Sequence, residues 1–331
     1  MIFNYLIAVF ICILISYILI HNRLVKHVPH KDDITSSVTP TSGGIGILIG
    51  FLSFYLIAGI ETVYPNFLIS MLLIGLITII GFLDDVYHIK NIYRFVGQIV
   101  ICIYFLNQFN LDFILLLIAL ISSIYLINSY NFMDGIDMLA TLQAISMLSI
   151  VIFLTDSYFQ MNLLVLILSF SFLLFNFQPA KLFLGNAGSY FYGMFFVVLF
   201  NILYFYDNFS FFTICIIYTV FLVDTLYCII TRFVFKILSL HKSVHILKAF
   251  ILSTKYLFST RHVTHNYQKM TFQSNNHKQT CLYMILYNLI LVTPLAYISH
   301  KYSDMAFICF ILSLIPYIIW CMKNKAGILE S

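Results

Sequence analysis

Apolar runs of 17 to 20 residues recur from one end of this 331-residue chain to the other. A run of that length with few charges is what a helix needs to cross the hydrocarbon core of a bilayer. No other feature restricts the fold as strongly, because backbone groups inside a bilayer must find their partners within the segment that carries them. The runs lie near 2–20, 44–60, 67–83, 95–110, 113–127, 138–155, 161–175, 188–205, 211–230, 281–299 and 305–322. They predict an all-α polytopic membrane protein of eleven spans. Composition agrees, since 62% of the residues are hydrophobic and 9% are charged, which excludes a soluble domain. Six prolines, thirteen glycines and no low-complexity stretch leave no candidate linker, so residues 1–331 read as one integral-membrane domain. The seven cysteines sit in or beside apolar runs with no CxxC or Cys/His cluster and read as packing residues.

Eleven spans alternate the loops between the two sides, and the distribution of Lys and Arg orients them. Placing 21–43, 84–94, 128–137, 176–187, 231–280 and the C-terminal tail in the cytoplasm puts sixteen of the seventeen Lys and Arg there, with Lys301 left outside. The N-terminus is then outside. The first run has no small-residue cleavage site after it and is followed by Arg23, Lys26 and Lys31, so it reads as a retained anchor. Glu61, Asp112, Asp156, Asp207 and Asp304 fall in short outer loops and read as solvated turns.

Every polar constellation falls on the cytoplasmic side. In Asn128-Ser129-Tyr130-Asn131-Phe132-Met133-Asp134-Gly135-Ile136-Asp137-Met138-Leu139, the residues Asn128, Asn131, Asp134 and Asp137 recur every three positions. On a helix each adjacent pair would share a face, and the acidic pair could reach one ligand; a helix cap or a buried hydrogen-bond network is the plainer reading. Gly81-Phe82-Leu83-Asp84-Asp85 ends the third run, followed by Lys90, Arg94 and Gln98. Neighbouring aspartates on a helix point about 100° apart, so the pair can serve two partners. Phe175-Asn176-Phe177-Gln178-Pro179-Ala180-Lys181-Leu182-Phe183-Leu184-Gly185-Asn186-Ala187-Gly188-Ser189 is a polar loop whose backbone N–H groups and following helix N-terminus suit phosphate. The long loop at 231–280 carries Asp224, Thr225 and Arg232 at its entry, then Arg261, His262, His265, Tyr267, Gln268 and Lys269, which could grip phosphates or form a basic surface facing lipid headgroups. Within it, 233–258 mixes aromatic and aliphatic residues with four lysines and reads as lying on the membrane surface.

The order of these motifs carries a resemblance. Thr39-Pro40-Thr41-Ser42-Gly43-Gly44, Gly81 to Asp85, Asn128 to Leu139, Phe175 to Ser189, Asp224-Thr225 and His277-Lys278-Gln279 resemble, in sequence order, the motifs of the polyprenyl-phosphate N-acetylhexosamine-1-phosphate transferases of glycosyltransferase family 4. The branch that starts O-antigen, enterobacterial common antigen or teichoic-acid chains is the most similar. The resemblance implies transfer of a sugar 1-phosphate from a UDP-N-acetylhexosamine to undecaprenyl phosphate, with release of UMP, at the cytoplasmic face of a bacterial inner membrane. It implies Mg²⁺, or Mn²⁺, as cofactor, no nucleic-acid partner, Asp84 and Asp85 as the pair beside the lipid phosphate, and Asp137 and Asn186 at the metal positions. Asn128, Asn131, Asp134, Lys90, Arg94, Asn176, Lys181, Gly185, Arg261, His262, His265, Tyr267 and Gln268 become candidate substrate contacts. This chain departs from the pattern at Met138, where many relatives have glycine, at Asn186, where most have aspartate, and in an HxxHxYQ segment, His262 to Gln268, in place of HxHH.

Two other classes remain open on the residues alone. An ion-coupled transporter would also carry membrane aspartates, but near the midplane rather than at one interface. A catalytically inactive relative that binds lipid or nucleotide would keep the motifs.

Overall fold

The computed structural model describes residues 2–23, 25–27, 38–59, 64–241, 246–259 and 263–328. They form almost entirely helices, as the apolar runs predict. Among them, eight helices are long and apolar enough to cross a membrane, or nine if the pair Phe211–Ile217 and Thr219–Leu240, bent by 83°, is one span. Gly44–Ala58 and Leu139–Leu154, which stand where two further spans were expected, are shorter apolar helices. The described residues divide into two compact units.

The first unit comprises, among the described residues, 2–23, 25–27, 38–59 and 64–214. It holds α1 (Ile2–Asn22), α2 (Gly44–Ala58), α3 (Phe67–Tyr87), α4 (Asn91–Leu106), α5 (Phe113–Phe132), α6 (Leu139–Leu154), α7 (Phe159–Asn176) and α8 (Gly185–Tyr206), and the start of α9 (Phe211–Ile217). Helix α8 is its axis: 83% of its apolar window is buried, and it packs on α3, α5 and α2. Small residues permit this. A Cβ on Gly44 of α2 would lie 2.1 Å from Gly188 Cα of α8, so the two backbones touch at a distance that only glycine allows. Around that contact the core is aromatic, with Phe51, Phe191, Phe195 and Phe196 fully buried. A two-residue antiparallel ladder, β1 (Lys26–His27) with β2 (Thr39–Pro40), precedes α2.

The second unit comprises, among the described residues, 215–241, 246–259 and 263–328. Its described elements are the end of α9, then α10 (Thr219–His241), α11 (Ile246–Ser259), α12 (Asn266–Ser274), α13 (His277–Tyr287), α14 (Thr293–Lys301) and α15 (Ala306–Lys323). The expected loop at 231–280 is largely helical, because its lysines are interleaved with Phe, Leu and Ile at spacings a helix accommodates. Asn276 caps α13 by accepting from the backbone N–H groups of Lys278 and Gln279.

Candidate active site

Asp84 and Asp85 lie in the last turn of α3, and successive helical positions point them in different directions, though both meet Asn186. Asp84, 4% exposed, pairs with the Arg94 guanidinium of α4 and accepts from Asn186 Nδ2 at 2.8 Å; both donors fall on Oδ2. Asp85 accepts from the backbone N–H of Asn186 at 3.0 Å and of Ala187 at 3.3 Å, and from Ser42 Oγ at 2.8 Å. Its carboxylate thus caps the start of α8, where unpaired N–H groups and the helix dipole favour a negative charge. Hydrogen bonds to a charged acceptor contribute about 1.5–3 kcal/mol each, so the pair is held firmly.

Asn186 is the knot. While its Nδ2 serves Asp84, its Oδ1 accepts from Asn131 Nδ2 at 2.6 Å, and Asn131 also donates to Ser189 at 3.0 Å. Motifs about fifty residues apart in the chain thereby meet at the ends of α3, α5 and α8. Gly185 makes room: its φ is +74°, and a Cβ there would lie 2.6 Å from Asp85 Oδ2 and from Thr41 Oγ1. The segment around Thr41 runs beside it, with Gly43 and Gly44 donating to the carbonyls of Phe183 and Leu184 and Phe183 donating to that of Pro40. Ser42 and Thr41 are thus part of the site. Sequence reasoning had them only as members of a motif, since no spacing rule links residue 42 to residue 85.

The Asn/Asp stretch is not one helical face. Helix α5 ends at Phe132, so Asn128 and Asn131 share its surface while Asp134 and Asp137 lie in the turn that follows. Met138 then adopts φ +59° before α6 begins, a left-handed conformation that a continuous helix cannot contain. Asn128 donates to Gln98 Oε1 at 2.7 Å. Asp137, 6% exposed, accepts from the Ala180 N–H at 3.2 Å. Asn176 faces inward: its Oδ1 accepts from the Met138 N–H and Thr141 Oγ1, and its Nδ2 donates to the Leu182 carbonyl, so it braces the turn. Lys90 and Lys181 are exposed. Asp134, half-buried, has its carboxyl pushed well above the usual range, by burial first and then by the charges of Asp85 and Asp137. Carboxylates gathered with the amide oxygen of Asn186 are the ligand type that a hard divalent cation takes. Among the described residues, no three His, Cys, Asp or Glu side chains form a ready-made metal cage.

The remaining candidates belong to the second unit and serve its interior. Asp224 of α10 is fully buried and accepts from His265 Nδ1 at 3.0 Å, the N–H groups of Asn266 and Tyr267 at 3.1 Å, and Tyr317 Oη at 3.0 Å. Gln268 accepts from the His265 N–H, completing a capping box for α12. His265 and Tyr267 are 3% and 0% exposed, so these motif residues tie α10, α12 and α15 together rather than presenting a basic surface. Burial pulls the His265 imidazole down, but Cys228 and the Asp224 carboxylate outweigh it and hold it up at about 10. Arg261 and His262 lie outside the described residues.

Residues 67–204, which carry Asp84 to Asn186, match the profile of glycosyl transferase family 4. A Sulfolobus acidocaldarius protein provisionally named UDP-N-acetylglucosamine–dolichyl-phosphate N-acetylglucosaminephosphotransferase is 32% identical over 194 residues, 49% of this chain and 57% of the relative. A Bacillus subtilis protein provisionally named undecaprenyl-phosphate N-acetylglucosaminyl 1-phosphate transferase is 27% identical over 233 residues, 63% of this chain and 64% of the relative. A phospho-N-acetylmuramoyl-pentapeptide-transferase of Staphylococcus saprophyticus is 34% identical over 191 residues, 46% of this chain and 58% of the relative. The chain thus covers less than two thirds of the length of each. Through residues 67–204, the chain is thus similar to glycosyl transferase family 4.

Proposed function

We propose that the protein transfers N-acetylhexosamine 1-phosphate from a UDP-sugar to undecaprenyl phosphate, giving undecaprenyl-diphospho-sugar and UMP, as the first step of a cell-surface polysaccharide. The setting is a bacterial inner membrane, and the distribution of Lys and Arg favours its cytoplasmic face for the site. The observation that carries the reading is the Asn186 knot, which joins Asp84, Asn131 and the Asp85-capped start of α8 at one end of the apolar helices.

In the reaction an oxygen of the lipid phosphate forms a bond to the phosphorus bearing the sugar. The bond from that phosphorus to the bridging oxygen breaks, and UMP leaves with that oxygen. Several anions converge, so positioning and charge stabilisation supply most of the rate. Asp84 and Asp85 orient the attacking phosphate. The exposed Lys90 and Lys181 are cationic partners for incoming phosphates, while Arg94 holds Asp84. Asn128 and Asn131 contribute polar contacts from α5, and Asn176 keeps the 133–138 turn in place. Mg²⁺, when bound, would neutralise developing charge on the diphosphate. Asp137 and the Asn186 carbonyl oxygen, which has a second lone pair beside the one facing Asn131, would hold it, with Asp134 nearby.

The test is UMP release by purified protein from UDP-N-acetylglucosamine and UDP-N-acetylgalactosamine, with undecaprenyl phosphate, dolichyl phosphate or no lipid. Release that requires undecaprenyl phosphate is expected. Release with dolichyl phosphate alone would reassign the acceptor, and no release under any condition would overturn the reading.

A further inference from the structure

We propose, on the basis of the functional reading above, that Ser42 is a positioning residue whose hydroxyl sets the orientation from which Asp85 acts. The hydroxyl donates to Asp85 Oδ2 at 2.8 Å, and Ser42 itself is 0% exposed. Asp85's other donors are the backbone N–H groups of Asn186 and Ala187, both from the start of α8 and the second of them at 3.3 Å. The first falls on Oδ1 and the longer second on Oδ2, the oxygen that Ser42 also bonds. Ser42 comes from the segment before α2 and makes the shorter of the two bonds to Oδ2, so it limits rotation of the carboxylate about its last torsion.

The backbone at Ser42 makes the hydroxyl informative. Its φ is +72°, in the left-handed region where glycine is at ease and a residue with a Cβ is not. Relaxation is blocked on both flanks, because Phe183 donates to the Pro40 carbonyl while Gly43 and Gly44 donate to the carbonyls of Phe183 and Leu184. Were the position only a turn, glycine would serve it better, as it does at Gly185 with φ +74°. The serine is explained by what its Oγ touches. Gly185 completes the arrangement, since a Cβ there would stand 2.6 Å from Asp85 Oδ2 and 2.7 Å from the Ser42 nitrogen.

The experiment compares wild type with Ser42→Gly and Ser42→Ala, measuring kcat and KM of UMP release and the thermal unfolding midpoint of each protein. The two variants lose the same hydroxyl but differ in strain, alanine being less at ease than glycine at φ +72°. Expected is a loss of about tenfold or more in kcat in both, the size of one hydrogen bond to a charged group, with KM for the UDP-sugar within about twofold. The alanine variant should unfold at a lower temperature than the glycine variant, so that the loss in kcat follows the hydroxyl and not stability. Wild-type kcat in Ser42→Gly, a kcat that tracks the unfolding midpoint, or a glycine variant that does not fold would each overturn the proposal and assign Ser42 a structural role. Wild-type protein that releases no UMP would overturn the functional reading instead, and this proposal with it.

Discussion

Asn186 stands where the family resemblance implies aspartate, and its contacts give a quantitative expectation for placing the acid there. Its Nδ2–H lies 2.8 Å from Asp84 Oδ2. In Asn186→Asp that donor becomes a second carboxylate oxygen, while the acceptor facing Asn131 is retained. Two carboxylate charges with centres about 4 Å apart repel by about 4 kcal/mol at an effective dielectric constant near 20. Arg94, already paired with Asp84, offsets part of this, so a net penalty of about 2–3 kcal/mol is expected without metal. A divalent cation turns the same pair into ligands. The unfolding midpoint of Asn186→Asp in EDTA should therefore fall below that of wild type and rise more steeply with added Mg²⁺. The Mg²⁺ giving half-maximal UMP release should drop about tenfold, which corresponds to recovering about 1.4 kcal/mol of ion binding. Asn186→Ala, which removes both the donor to Asp84 and the acceptor for Asn131, should be severely impaired. Equal stability of wild type and Asn186→Asp in EDTA, with superimposable Mg²⁺ titrations, would refute the reasoning.

Other substitutions probe the turn, the second unit and the topology. Met138→Gly relieves about 1 kcal/mol of positive-φ cost but deletes a side chain that is 3% exposed and whose packing contributes about 2–5 kcal/mol. It should destabilise in chemical denaturation, yet by about 1 kcal/mol less than Met138→Ala, which keeps the strained φ. A glycine variant no more stable than the alanine would count against strain at this position. The His265 imidazole is held above its unfolded value, at about 10. Its pairing with Asp224 therefore contributes fully below about pH 6.5 and is lost as pH rises through about 10. Thermal midpoints should decline from pH 7 to 10.5, and His265→Gln should flatten the decline; an unchanged slope would remove His265 as its cause. Cysteines introduced at Ser157 and Ser259 should be labelled from opposite sides of the membrane, and labelling from one side would refute the alternation of the loops.

The apolar runs mark helices well, because backbone satisfaction in a bilayer leaves no other regular structure for them. Their lengths are less legible. The run at 211–230 hides a break at Tyr218 that no proline or glycine announces. The lysine-rich stretch at 231–280 looked like a loop because charge excludes it from the hydrocarbon, although charge does not exclude a helix. In the site, residue types pointed to the chemistry and chain order to the family, but neither could say which polar atoms face inward. Asn176, His265 and Gln268 read as ligand-facing from their types, yet each is engaged with the backbone or a buried carboxylate of its own unit. The bond from Ser42 to Asp85 depends on a left-handed residue opposite a glycine more than a hundred positions away, which periodicity cannot register.

The central place of α8 also sets an order of construction. The helices that enclose it, α2, α3 and α5, all come earlier in the chain, so during synthesis they stand in the membrane with an unfilled seam until residues 185–206 leave the ribosome. Asp84 and Asp85 wait through that interval without the amides of Asn186 and Ala187. Maturation of the reaction centre is therefore a late event in assembly. A nascent chain stalled before α8 would expose a crevice lined by glycine and phenylalanine to other membrane segments, the kind of surface that quality-control proteases and insertion chaperones engage.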